Sequence, residues 1–305
     1  MSLSLYSFAN LLYDYEYIKL NGLLREVLAD KALVFYLGAF LWILLSYILG
    51  ALNFAILLSK HVYHDDIRGH GSGNAGFTNM NRVFGKRAAG LVIIGDVLKT
   101  VIAVGGSMLL FGSSIAMAAG LACILGHCFP CFYGFKGGKG VAATAGMVLI
   151  LDPLSFVVLF SLFALIVLAS KYVSLGSVMT IILYPLINRR IYDFLHAEVL
   201  PGYFIRHGLY TEVTTLNGAV TDVPDFVSTL SHTTSVTTLL VGIFLAVFVV
   251  YMHRANIRRI MRGEESRFSF HRKAAAEVAA TAEENKKSRH RIDELDEELK
   301  DEDKK

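Results

Sequence analysis

The chain has 305 residues, 54% of them hydrophobic and 18% charged, with a mean hydropathy of +0.51. Its apolar residues are gathered in blocks, which excludes an ordinary soluble domain. The formal net charge is +3, but 13 acidic and 10 basic residues from Glu264 onward leave the rest near +6. Those cations stand between apolar blocks, where anionic headgroups lie, and this is not the charge pattern of a nucleic-acid binder.

Residues 1–30 mix aromatics with charges (Tyr13, Asp14, Tyr15, Glu16) and read as an interfacial N-terminal segment. The first apolar run begins near residue 31, lacks a small-residue cleavage site and is followed by many others, so a cleaved signal peptide is not expected. Runs 33–52, 90–111, 113–129 and 153–169 approach the roughly 20 residues that a helix needs to cross hydrocarbon. Runs 175–187 and 237–251 are shorter. The first helix is expected over 31–58, with Ser46, Gly50 and Asn53 suited to close helix contact. A polar segment, 59–88, follows. Helices two and three are expected over 90–110 and 113–128.

"GHCFPCFYGFKGGKGVAATAG" (126–146) is too rich in glycine and lysine to face lipid, so its backbone must be buried in protein or line a polar cavity. Asp152-Pro153 then separates a short helix, 139–150, from a full one reaching 169. The sixth and seventh helices are expected over 174–190 and 236–252. This count puts 59–88, 129–139, 170–174 and the chain after 252 on one side of the membrane, with most of the Lys and Arg. The positive-inside rule makes that side cytoplasmic. The 191–235 segment becomes an outer loop with short structure, and 264–305 a charged tail forming exposed helix that frays. Cys128 and Cys131 have C-x-x-C spacing, but one pair without a second cluster reads as small core residues; no metal or cofactor is expected.

Three polar segments would meet at the cytoplasmic face. "HGSGNAGFTNMNR" (70–82) offers Ser72, Gly73, Asn74, Thr78, Asn79 and Arg82, with Lys86 just beyond. Serial glycines turn backbone N–H groups toward an anion, and an arginine fork grips phosphate. A tight loop whose side chains cap helices is the plainer alternative. "FKGGKG" sets Lys136, Gly137, Gly138 and Lys139 before a helix N-terminus, which favours anions. It is no Walker A loop, because Gly140 stands where a magnesium-binding hydroxyl belongs. In "HRANIRRIMRGEE" (253–265), helical spacing returns His253, Asn256 and Arg259 toward one face; arginines that merely anchor the helix are the alternative. Asp96 and Lys99, at i,i+3, read as a salt bridge supporting the site. His61 and Asp66 meet the loose H-x-x-x-x-D pattern of acyl-CoA-dependent acyltransferases, but lie in the charged stretch "HVYHDD" and are read as a coincidence.

Together "GSGNAGFTN" with Arg82, "DVLK" at 96–99, "GHCFPCFYGFKGGKGVA", "KYVSLGS" at 171–177 and "HRANIRRIMRGEE" resemble, in order, the bacterial acyl-phosphate:glycerol-3-phosphate acyltransferase family over about 35–265. The resemblance implies an all-α polytopic membrane protein of about seven transmembrane helices, some short or broken, with a membrane domain over 31–263 and a soluble helical tail. It implies transfer of a fatty acyl group from acyl phosphate to the 1-hydroxyl of sn-glycerol 3-phosphate, in the cell inner membrane, with the site facing the cytoplasm. The products would be 1-acylglycerol 3-phosphate (lysophosphatidate) and phosphate.

Carried onto this chain, Lys139, His253, Asn256 and Ser177 would be catalytic. Ser72, Gly73, Asn74, Thr78, Asn79, Arg82, Lys86, Lys136, Gly137, Gly138, Ser174 and Glu265 would bind substrate, and Asp96, Lys99, His127 and Arg259 would support them. Phosphate is already a good leaving group, so direct attack by the glycerol hydroxyl, with a substrate phosphate oxygen taking its proton, is expected; His253 as base is the alternative. The chain departs from the family at "GALNFA" (50–55), where a Gly-Ser-Ile-Pro stretch is usual, and different packing of the first helix is expected there. A transporter for a phosphorylated solute is the competing class; it would need internal repeats and a polar path to the other face, and the sequence carries neither. No partner is assigned to the tail.

Overall fold

The computed structural model describes residues 22–28, 30–194, 215–216, 219–220 and 225–268. These are almost wholly helical: α1 (Leu23–Val27), α2 (Ala32–Ala51), α3 (Phe54–Val62), α4 (Phe77–Val83), α5 (Gly85–Phe111), α6 (Ser113–Cys128), α7 (Val141–Leu151), α8 (Pro153–Ser170), α9 (Val173–Phe194), α10 (Asp225–Met252) and α11 (Arg254–Met261). A two-residue antiparallel pair, Thr215–Leu216 with Ala219–Val220, is the one sheet among the described residues.

Four helices are long and apolar enough to cross a bilayer alone: Ala32–Ala51, Gly85–Phe111, Ser113–Tyr133 and Pro153–Ser170. Thr237–Met252 and Arg254–Met261, bent by 59° at their junction, make a fifth if they count together, and Val141–Leu151 and Val173–Asn188 are shorter apolar helices. Helices α2 and α8 leave Leu33, Leu37, Phe40, Leu41, Val157 and Phe160 more than half exposed. Such faces, unfavourable in water, are at home against hydrocarbon. The protein is a multi-pass membrane protein.

The chain forms two compact units, residues 1–52 with 96–268 and residues 53–95 with 269–305. In the first, α2 lies against α6 with backbones almost touching. A Cβ at Gly50 would fall 2.1 Å from the Cys123 carbonyl oxygen, and one at Gly126 2.1 Å from that of Tyr47. Only glycine permits this approach, the packing device of membrane helices. The indole of Trp42 donates to the Ala103 carbonyl at 2.9 Å and ties α2 to α5. Val104, Ile124, Met147, Leu245 and Val249 centre the core of this unit.

Asp152 explains the break between α7 and α8: it accepts from the Ser155 N–H at 3.1 Å and caps α8, with Pro153 as the first helical residue. Other boundaries depart from the sequence reading. The first helix, expected over 31–58, stops at Ala51, because the Asn53 side chain accepts from Ile56 N–H and starts a separate helix, α3. Segment 59–88 contains helical turns of its own, α4 among them. The segment read as a loop over 191–235 is partly helical, since α9 reaches Phe194 and α10 begins at Asp225. The N-terminal segment 1–21 and the tail from 269 lie outside the described residues.

Candidate active site

Three segments far apart in sequence bring a chain of polar side chains together in the first unit. Lys139, at the N-terminal end of α7, donates from Nζ to Asn256 Oδ1 on α11. Asn256 Nδ2 donates to Glu265 Oε1 at 2.6 Å, and the Ser174 hydroxyl on α9 donates to the same oxygen at 3.0 Å. Arg259 Nε donates to Glu265 Oε2 at 2.6 Å. Gly263 ends α11 and turns the chain back, its N–H on the Ile260 carbonyl and that of Glu264 on Arg259, so that Glu265 meets the helix it follows. Burial alone would raise the Glu265 carboxyl, but the Arg259, Asn256 and Ser174 donors outweigh it and hold the group below its usual value.

A carboxylate only accepts, so Glu265 fixes the Asn256 amide with its NH2 inward and its oxygen toward the Lys139 ammonium. One helical turn earlier, the nearly buried His253 lies with Nδ1 2.8 Å from the Val249 carbonyl. That carbonyl can only accept, so the proton is on Nδ1 and, in the neutral ring, Nε2 is the acceptor. Ser177 is buried on α9 and its hydroxyl donates back to the Val173 carbonyl at 2.9 Å. Lys136 is exposed in the loop before Lys139.

The glycines of "FKGGKG" tie the loop to the end of α6. Gly137 N–H donates to the Cys128 carbonyl and Gly138 N–H to that of His127, each at 3.1 Å. These donors satisfy the open C-terminal carbonyls of α6 and so anchor the Lys139 loop.

Behind this loop lies a buried ionic triad. Asp96, Lys99 and His127 are each at most 3% exposed. Lys99 Nζ is 2.9 Å from Asp96 Oδ1 and donates to the carbonyls of Gly50 (2.8 Å) and Leu52 (3.0 Å), the last turn of α2. His127 Nδ1 is 3.3 Å from the same carboxylate oxygen. The lysine also closes a helix end. Sequence spacing revealed the i,i+3 pair, but not the helix it caps.

The second unit holds the 70–82 segment. Asn79, 1% exposed, donates from Nδ2 to the carbonyls of His70 (2.9 Å) and Ile67 (3.2 Å) and accepts the Ser72 N–H at 2.9 Å. All its polar atoms hold backbone, which makes it the staple of the loop. Gly71 has φ 57°, and a Cβ there would lie 2.2 Å from Asn79 Oδ1. Asn53 Nδ2 donates to the Ala75 carbonyl at 3.3 Å, a brace that the sequence did not suggest. Ser72 and Gly73 are exposed on the loop; Asn74, Thr78 and Arg82 are half-buried, and Lys86 is exposed on the first turn of α5. Asp66, of the rejected H-x-x-x-x-D match, is gripped by Arg68 at 2.7 Å and Lys60 at 3.5 Å; the Arg68 hydrogen bonds keep its carboxyl well below the usual range. Among the described residues no His, Cys, Asp and Glu cluster could hold a metal.

A protein-family model described as glycerol-3-phosphate acyltransferase matches residues 40–263. A glycerol-3-phosphate acyltransferase of Chlorobium phaeobacteroides (strain BS1) is 36% identical over 239 residues, covering 74% of this chain and 94% of the relative. The one from Geobacillus kaustophilus is 35% identical over 223 residues, covering 73% and 92%. Among solved structures, the integral membrane glycerol 3-phosphate acyltransferase PlsY in its glycerol 3-phosphate form matches with a TM-score of 0.58 and 31% identity over 76% of this chain and 96% of that one. Its lysophosphatidic acid form matches at 0.56 and 30%, with the same coverage. The family model covers most of the helices and loops described above, and the relatives are matched almost end to end: the chain belongs to the glycerol-3-phosphate acyltransferase family.

Proposed function

We infer that the protein acylates glycerol 3-phosphate to give lysophosphatidate. The observation that carries this reading is the Lys139–Asn256–Glu265 chain beside a buried neutral-type histidine, a cationic site with an oriented amide at the end of apolar helices. The acyl donor in this reading is an acyl phosphate. The glycerol hydroxyl oxygen attacks the acyl carbon, the bond from that carbon to the phosphate oxygen breaks, and inorganic phosphate leaves with the electron pair. Lys139 stabilises negative charge on the departing phosphate, and Asn256 keeps the ammonium in place. The hydroxyl proton passes to a phosphate oxygen of the substrate, and Lys139 with its loop holds the departing anion.

The membrane domain of this reading spans 31–263, in the cell inner membrane, with the site on the cytoplasmic side. Lys136, Lys139, Lys171, Arg254, Arg258 and Arg262, on segments that the expected topology puts on one side, support that orientation. Purified protein supplied with palmitoyl phosphate and glycerol 3-phosphate is expected to release phosphate and form lysophosphatidate in equal amounts, and to release none without the glycerol 3-phosphate. Product from palmitoyl-CoA instead, or phosphate release independent of glycerol 3-phosphate, overturns the reading. Substituting His253 discriminates the proton route. A residual rate with unchanged pH dependence supports the substrate as base, whereas loss of a histidine-like limb of the profile assigns that role to His253.

A further inference from the structure

Helix α11 presents different groups on its two sides. Asn256 and Arg259 turn to Lys139 and Glu265. Arg254, Arg258 and Arg262 recur at every fourth position on the other side, and all three are exposed. Met261, 81% exposed, falls beside them. The Arg254 guanidinium lies over the Tyr251 ring, 4.3 Å from its centroid, and donates to the Tyr251 carbonyl at 3.1 Å, which fixes the start of the row. Arg259 takes Glu265, whereas among the described residues no carboxylate pairs with Arg258 or Arg262.

The depth of the row decides what it meets. α10 is the last long apolar helix, and α11 leaves its direction by 59°. The 8 residues of α11, at 1.5 Å each, make a rod of about 12 Å, which at that angle advances about 6 Å along α10. The headgroup layer beyond the hydrocarbon is about 5–7.5 Å deep, so α11 stays within it instead of rising into water. An arginine that only anchors a span touches this layer at one point. Here three guanidiniums at one depth, with a tyrosine ring and an exposed thioether beside them, make a face for it. Guanidiniums take phosphate oxygens through two parallel N–H bonds. We propose that the Arg254, Arg258 and Arg262 face of α11 docks on anionic phospholipid headgroups, and that this contact holds Asn256, on the inner side of the same helix, against Lys139. The docking stands apart from the acyltransferase reading, and its effect on rate rests on that reading.

The test titrates the purified protein, in dodecyl maltoside, with dioctanoyl phosphatidylglycerol or dioctanoyl phosphatidylcholine and follows the thermal midpoint. The wild-type midpoint should rise with the anionic lipid, as with any ligand that binds only the folded state, and rise less with the zwitterionic one. Arg258→Gln with Arg262→Gln keeps good helix formers at exposed positions. This pair should need about 25-fold more phosphatidylglycerol for the same rise, about fivefold for each arginine near an anionic surface. Lys31→Gln with Arg87→Gln removes the same charge from exposed positions at the starts of α2 and α5, and should titrate like the wild type. In phosphatidylcholine nanodiscs, replacing a third of the lipid with phosphatidylglycerol should raise wild-type kcat with palmitoyl phosphate and glycerol 3-phosphate about fivefold, the low end of coupling between two sites. The Arg258→Gln, Arg262→Gln protein should show no such rise. Absence of phosphate release under every condition would sink the acyltransferase reading, and the midpoints would still decide the docking. Equal midpoint rises with the two lipids would make the row an ordinary anchor. Equal rises in the wild type and the Arg258→Gln, Arg262→Gln protein would place the lipid elsewhere. A midpoint shift in an active protein without a change in kcat would detach the docking from Asn256, and each of these three results overturns the proposal.

Discussion

The Lys139 cluster and the 70–82 loop are both polar and both built around a buried asparagine, yet they use it in opposite ways. Asn256 joins side chain to side chain, between Lys139 and Glu265, which are 126 positions apart in the chain. Asn79 joins only backbone, reaching no further than Ile67. The first arrangement is a network whose members set one another's orientation. The second is a local staple, and what it offers a ligand is the shape of the loop. Changes in the cluster should therefore strike chemistry, and changes at Asn79 should strike the loop and its substrate affinity.

The largest effect is expected from Lys139→Met. Removing one charged donor from a site where charge develops costs on the order of 100- to 1,000-fold in rate. Steady-state phosphate release should fall by that factor while circular dichroism and elution volume stay those of the wild type. A rate loss that raises only the KM for glycerol 3-phosphate would break the contrast, placing Lys139 with the binding residues.

Asn79→Ala should come next. It leaves the Ile67 and His70 carbonyls and the Ser72 N–H without this partner, at about 1–3 kcal/mol for a buried group left unsatisfied. The thermal midpoint should fall, and KM for glycerol 3-phosphate should rise about tenfold, with kcat less affected. Asn79→Asp, which turns an acceptor toward the two carbonyls, should be worse than Asn79→Ala. Equal effects of the two would mean that the amide donors are not what matters.

Glu265→Gln sharpens the comparison inside the cluster. Glutamine keeps the shape but presents one donor where the carboxylate accepted from three groups, so the Asn256 amide is no longer held in one orientation. A loss of about three- to tenfold in kcat is expected. Because the folded-state carboxyl lies below its ordinary value, its stabilisation is present above the usual glutamate range, around pH 4.3, and fades as pH falls through the lowered folded value. The stability gap between wild type and Glu265→Gln should thus be full at pH 7 and close on acidification. A gap that stays constant into acid would remove the carboxylate from the explanation.

How far each region was legible follows from the same contrast. Apolar blocks gave most helices, since the length of a span and the break at Asp152-Pro153 are written locally. The glycine-rich loops were visible as places where helix cannot continue. What spacing could not reveal is direction. The Gly137 and Gly138 N–H groups turn to the carbonyls at the end of α6. The Asn79 side chain turns inward to the backbone, and Glu265 holds Asn256. The first helix was read as continuous to 58, with Asn53 as a helix-contact residue; instead the Asn53 side chain accepts the Ile56 N–H and caps a separate helix. Lys99 on the α2 carbonyls joins residues 47 and 49 positions apart, a relation that exists only after α2, α5 and α6 have packed.

The smallest effect is expected at Asp66, and it tests the boundary between the two regions from the other side. A histidine and an aspartate five residues apart serve a different class of acyltransferase, and the pair would matter here if the 53–95 unit carried its own chemistry. Asp66 instead stands between Arg68 and Lys60, and it also accepts from the Arg68 backbone N–H, which starts a turn. The Asp66 and Lys60 side chains are 32% and 44% exposed, so water and salt screen the pairing, and a partly exposed ion pair contributes on the order of 0–1 kcal/mol. Asp66→Asn retains the acceptor for the turn and removes only the charge. Together with His61→Ala it should leave kcat and KM within about twofold of the wild type, since neither change unpairs a buried group. A fall in kcat near that of Lys139→Met would put the reacting hydroxyl at the His61–Asp66 pair.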